Sequence, residues 1–94
     1  MFKITINDQG VVELEGRLDA SQTDEATMVL DKITTSVTVD FKRLEYIASA
    51  GLGVLFAAQK RLKGTGQGLR LVNLNASIRD IFRYARFDMV FQIE

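Results

Sequence analysis

The chain has 94 residues, enough for one small domain and too few for two separate cores. Its 12 basic and 12 acidic side chains cancel, so no global field draws it to nucleic acid or to an anionic membrane surface. It holds no histidine and no cysteine, which excludes a Ser-His-Asp arrangement, thiol chemistry and thiolate metal sites within the chain.

Phe2, Ile4 and Ile6 alternate with polar neighbours and predict a half-buried first strand, with no signal-peptide layout. Asp8-Gln9-Gly10 is a turn signal and Val11 to Glu15 reads as a second strand, so the two form a hairpin. Asp19-Ala20-Ser21 ends that strand. Ser21 with Asp24 three residues on resembles a capping box, and Asp19 is itself a candidate cap. Ala26, Val29, Leu30 and Ile33 fall at helical spacing, which predicts helix one over Gln22 to Ile33.

Val37, Val39 and Phe41 form a third strand, followed by a brief connection to Ser49. Helix two is predicted from Ala50 to Lys63. It stops at Gly64-Thr-Gly66-Gln-Gly68, glycines that follow a helix and so suit a C-cap and turn rather than a phosphate-cradling loop. Leu69 to Leu74 is the fourth strand. Asn75 or Ser77 caps helix three, with Ile78, Ile81, Phe82 and Ala85 as its apolar stripe, and Met89 to Ile93 can close the sheet. Arg79, Arg83 and Arg86 are spaced to share one face of that helix, where solvent is their ordinary surrounding and a secondary contact with an acidic partner is the alternative. The order predicts an α/β fold with a single domain over 1–94. An N-terminal β-hairpin leads into a mostly parallel sheet of four to five strands with helices packed on it. No proline and no low-complexity segment marks a linker, and no apolar run is long enough to cross a bilayer. A cytoplasmic setting, no cofactor and a single copy when free are the expectations.

The most informative residue is Ser49, between the third strand and helix two. It occupies an expected N-cap, beside free backbone N–H groups and the positive end of the helix dipole. A phosphoryl group would be well placed there, although capping alone is the ordinary role of such a serine. Ile47-Ala-Ser-Ala-Gly51 also resembles a nucleophile elbow, but the chain offers no histidine as base, and nothing places Lys42 or Lys60 beside Ser49. Helix two carries a second anomaly. Val54, Phe56, Ala57 and Ala58 add to the Leu52, Leu55 and Leu62 stripe and make its first half apolar nearly all round. Either both sides are buried or an apolar surface lies near Ser49. The small size of the domain disfavours burial on both sides, and the surface reads as a docking patch, with incidental exposed apolar residues as the alternative.

These residues together resemble the STAS family, the sulphate-transporter and anti-sigma-factor-antagonist domain. Gly16-Arg-Leu-Asp-Ala20 is similar to the family's segment after the second strand. Asp40-Phe-Lys-Arg-Leu-Glu-Tyr-Ile-Ala-Ser-Ala-Gly-Leu52 resembles its central motif. Leu69-Arg-Leu-Val-Asn-Leu-Asn75 with Ile78, Phe82 and Phe87 is similar to its last strand and helix. The resemblance implies a stand-alone bacterial anti-sigma factor antagonist, not an enzyme, that works by partner switching. The unphosphorylated domain would bind an anti-sigma factor that is also a serine kinase, phosphorylation of Ser49 would release it, and a serine phosphatase would restore binding. The implied contact set is Asp19, Ala48, Ser49, Ala50, Gly51, Leu52, Gly53 and Phe56. Many antagonists carry Asp-Ser-Ser or Asp-Ser-Thr where this chain has Ala48-Ser49-Ala50. One acceptor remains, and a carboxylate that could contact the kinase is gone. STAS domains also serve unphosphorylated in transporters and lipid-trafficking complexes, so a constitutive docking subunit is the alternative.

Overall fold

The alternating residues of the hairpin do what their pattern requires. In the computed structural model, which describes residues 1–94, β1 (Phe2–Ile6) pairs antiparallel with β2 (Val12–Leu18). Val12, Leu14 and Leu18 are buried while Glu13 and Arg17 are exposed, the clean period of two of a sheet with one covered face. Gly16 takes φ +89°, and a Cβ there would collide with the Met1 carbonyl, so only glycine fits this close approach.

A 3-10 turn (Ala20–Gln22) then leads into α1 (Thr23–Leu30). The capping box is built on Asp19 and Gln22, not on Ser21 and Asp24. Asp19 Oδ1 accepts from the Ser21 N–H, and Gln22 Oε1 accepts from the Asp19 N–H. Helix one is shorter than its apolar spacing predicts. Ile33 is buried from the loop that follows α1, and Arg61 donates to the Leu30 and Ile33 carbonyls at 2.9 Å, the former also accepting from the Ile33 N–H at 3.0 Å, so the guanidinium ties the end of α1 and the loop after it to helix two.

The third strand departs most from expectation. β3 runs from Val37 to Ile47, so the segment read as a connection is sheet. It pairs parallel with β2 through two register shifts, and its buried residues fall at Val39, Phe41, Leu44 and Ile47. Each bulge inserts a residue and resets the alternation, which places Lys42 and Arg43 both in solvent. After α2 (Ser49–Lys63) the chain turns through Gly66 at φ +77° into β4 (Leu69–Val72). Asn75 caps α3 (Ala76–Tyr84), its Oδ1 accepting from the Ile78 N–H at 2.9 Å. Ile78 and Phe82 are buried as expected, but Ala85 lies past the helix and is exposed. Arg86 is also off the helix, at φ +61°, so the three arginines do not share one helical face. A second 3-10 turn (Phe87–Met89) replaces the start of the predicted last strand, leaving β5 with only Gln92–Ile93.

The sheet order is β1-β2-β3-β4-β5, antiparallel for the first pair and parallel thereafter. Every crossover steps in the same direction, so right-handed connections put all the helices on one face. The core of 21 buried apolar side chains lies between that helical layer and the sheet. Phe82 sits at its centre, with ring centroids 5.9 Å from Phe41 and 5.7 Å from Phe91. The other face of the sheet is polar and open. No helix is long and apolar enough to cross a membrane.

Candidate functional site

Parallel strands that all end at one rim bring the ends of β2 and β3 together. Leu18 pairs with Ile47, and the Ala48 N–H donates to the Leu18 carbonyl at 2.9 Å. Asp19 and Ser49 therefore sit on the same rim. Asp19 is held there by two bonds to Ser21, from the backbone N–H at 3.0 Å and from the hydroxyl at 2.7 Å. These bonds, the hydroxyl's first, with help from the Arg17 charge, hold its carboxyl below the usual carboxylate range. Arg17 itself stacks over the Tyr46 ring at 4.4 Å on the open face of the sheet.

Ser49 is not the N-cap. The extended residue at the cap position is Ala48, at φ −91° and ψ 169°, and Leu52 N–H bonds to its carbonyl. Ser49 is the first residue inside α2, exposed, with its hydroxyl free of any capping duty. The alanine at the cap supplies no acceptor, so the mouth of α2 keeps free N–H groups and an unscreened positive end beside the serine.

The faces of α2 resolve the apolar anomaly. Leu52, Leu55, Ala58, Gln59 and Leu62 face the sheet. One flank meets α1, where Arg61 reaches its last carbonyls. The other meets the second 3-10 turn, where Phe56 stacks on Phe87 with centroids 5.3 Å apart and planes 10° apart. The helix is thus covered on more than one side even in this small domain, contrary to the sequence expectation. What remains outside is a narrow ridge at helical spacing: Ser49, Ala50, Gly53, Ala57 and Lys60. Phe56 borders it at 37% exposure.

The predicted contact set divides accordingly. Asp19, Ala48, Ser49, Ala50, Gly53 and Phe56 reach the rim or the ridge. Gly51 and Leu52 do not: both are buried. A Cβ on Gly51 would lie 2.8 Å from Leu18 Cγ and 2.9 Å from Ile47 Cγ1, so this glycine seats α2 on the strand ends and offers nothing to a partner. Gly53 has open space around it. Ala57 belongs to the ridge although absent from the predicted set; its place four residues after Gly53 was the available signal.

The largest groove, about 900 Å³, opens at the other ends of the strands among Thr35, Ser36, Gln67 and Gln92, away from Ser49. The rim offers an exposed surface that carries the Ser49 hydroxyl, a placement suited to docking a macromolecule. A family profile described as "Mlab, STAS domain" matches residues 3–92, and the chain belongs to the STAS domain family. A protein of Bordetella bronchiseptica named as an anti-sigma factor antagonist, BtrV, is 31% identical over 94% of this chain and 69% of its own. The fold is shared with an anti-sigma factor antagonist from Mycobacterium paratuberculosis, at TM-score 0.82 and 19% identity over 99% of this chain and 83% of that one. It is shared also with the Bacillus cell fate determinant SpoIIAA in its phosphorylated form, at TM-score 0.71 and 17% identity over 100% and 91% of the two chains.

Proposed function

We propose that this domain is a cytoplasmic anti-sigma factor antagonist, without catalytic activity of its own, that binds an anti-sigma factor through the α2 ridge and is switched by phosphorylation of Ser49. The observation that carries the reading is the placement of Ser49. It is exposed, inside the first turn of a helix whose cap is an alanine, and adjoins the small residues Ala50, Gly53 and Ala57 of the ridge. In the unmodified state Gly53 and Ala57 allow a partner backbone to approach closely. A dianion on Ser49 would have to shed water at such a contact without a matching charge, which is costly. The partner would be a serine kinase, with a phosphatase restoring the binding form. The name of the Bordetella relative supports the antagonist role for this chain.

The test is titration calorimetry against the anti-sigma factor recovered by affinity capture. Ser49→Ala should bind as the parent does, and Ser49→Asp should bind more weakly. Gly53→Lys should also weaken binding while circular dichroism of the free domain is unchanged. If Ser49→Asp and Gly53→Lys both bind like the parent, the interface lies elsewhere. The unswitched docking subunit then becomes the better reading.

A further inference from the structure

The two edges of the sheet are unequal. β5 presents two residues and β1 presents five. In the hairpin, Asn7 N–H donates to the Val11 carbonyl and Arg17 N–H to the Met1 carbonyl, both at 2.9 Å. Antiparallel ladders alternate, so with Lys3 opposite Glu15 and Thr5 opposite Glu13, these odd-numbered residues turn their backbone groups toward β2. Phe2, Ile4 and Ile6 turn theirs outward, a continuous row of free donors and acceptors. No proline interrupts it, and Met1 and Ile6 are 78% and 46% exposed along it.

We propose that β1 pairs with β1 of a second copy, antiparallel about a two-fold axis at Ile4, joining the two sheets into one. The edge is complementary to itself, as an isologous contact must be. Ile4 faces the partner's Ile4, and Phe2 faces the partner's Ile6. These aromatic and β-branched cross-strand pairs cover the exposed isoleucine. On the open face Lys3 falls opposite the partner's Thr5 and not opposite a like charge. Lys3 is flanked by Glu15, and Thr5 by Glu13, on their own β2 strands. A lysine on an edge ordinarily guards against such pairing. Here the row across the joined sheet runs Glu15, Lys3, the partner's Thr5, the partner's Glu13, so the cation lies next to an acidic position and opposite no like charge, with Glu15 itself 4.0 Å from Arg43. Sliding the pairing by two residues one way would bring the lysines face to face, and sliding it the other way would leave Phe2 beyond the end of the partner strand, so this register is favoured. A pairing five residues long belongs to the small class of interfaces, below about 1,200 Å² in total. The dimer is therefore weak and forms as concentration rises. The inference is independent of the switching role of Ser49.

Sedimentation equilibrium over a concentration series tests it. The parent's average mass should climb toward twice the monomer mass. Ile6→Lys, at an exposed position, should stay monomeric over the same range with an unchanged circular dichroism spectrum. Because the chain has no cysteine, register can be read by oxidising a mixture of Lys3→Cys and Thr5→Cys chains. The mixed disulfide should exceed random pairing. A parent that stays monomeric throughout, a dimer that survives Ile6→Lys, or cross-links at random frequency would each overturn the proposal.

Discussion

Two glycines in one turn of α2 ought to respond in opposite ways to the same substitution. Gly→Ala in a helix gains about 1 kcal/mol of intrinsic propensity. At Gly53 nothing stands within 4 Å of the added Cβ, so that gain should appear nearly whole. At Gly51 the added carbon would lie 2.8 Å from Leu18 Cγ, 2.9 Å from Ile47 Cγ1 and 3.1 Å from Leu18 Cδ2. The closest two are branch or stem atoms of buried side chains, which cannot swing aside like the end of a lysine. Overpacking of this kind costs about 1–3 kcal/mol. The propensity gain is common to both variants and cancels between them, so Gly53→Ala should be more stable than Gly51→Ala by about 1–3 kcal/mol. Urea unfolding followed by circular dichroism reads this directly, with m-values checked for constancy. A Gly51→Ala domain as stable as Gly53→Ala would refute the claim that Gly51 seats the helix on Leu18 and Ile47.

Phosphorylation of Ser49 should leave the free domain folded and alter its stability little. An anion in the first turn of a helix gains about 0.3–1 kcal/mol, and the neighbouring Asp19 offsets part of it; a calorimetric melting scan that showed marked destabilisation would contradict this. Asp19→Asn should change the pH dependence of stability. The folded carboxyl titrates below its unfolded value of about 3.9, so its contribution is present above that pH and is lost as pH falls through the lower folded value. Urea midpoints of parent and variant should therefore converge in acid and differ near neutrality. Gln59→Ala should be costly. The buried amide donates to Val90 O at 2.9 Å and accepts from Leu69 N–H at 2.7 Å. Each orphaned backbone group then costs about 1–3 kcal/mol, measurable in the same urea unfolding.

Most of the fold was legible because its signals are local. The hairpin follows from period-two alternation on either side of Asp8-Gln9-Gly10. Helix two follows from the leucine spacing and its glycine stop, and helix three from Asn75 and the pair Ile78 and Phe82. The placing of the candidate residues was legible in part: Ser49 falls one residue inside the helix rather than at its cap, and Gly51 and Leu52 are buried. The motif pointed to the mouth of α2 and the resemblance added Asp19, and the ends of β2 and β3 bring the two together.

What stayed hidden depended on groups distant in sequence. β3 reads as ending at Phe41 because its bulges against β2 break the alternation, and a bulge is a relation between two strands rather than a property of one. The cap of α2 fell to Ala48 because the backbone turns where Ala48 N–H meets the Leu18 carbonyl, one residue before the side chain that would have preferred the place. Gly51 and Gly53 look alike in the sequence. One is sealed against Leu18 and Ile47 and the other stands open, since positions two apart on a helix differ by about 200°, just over half a turn, and only the sheet beneath decides which of them is covered. The sequence by itself thus determined the elements, their order and the serine. Tertiary packing decided that the serine stands free of the cap, and which side chains share its surface.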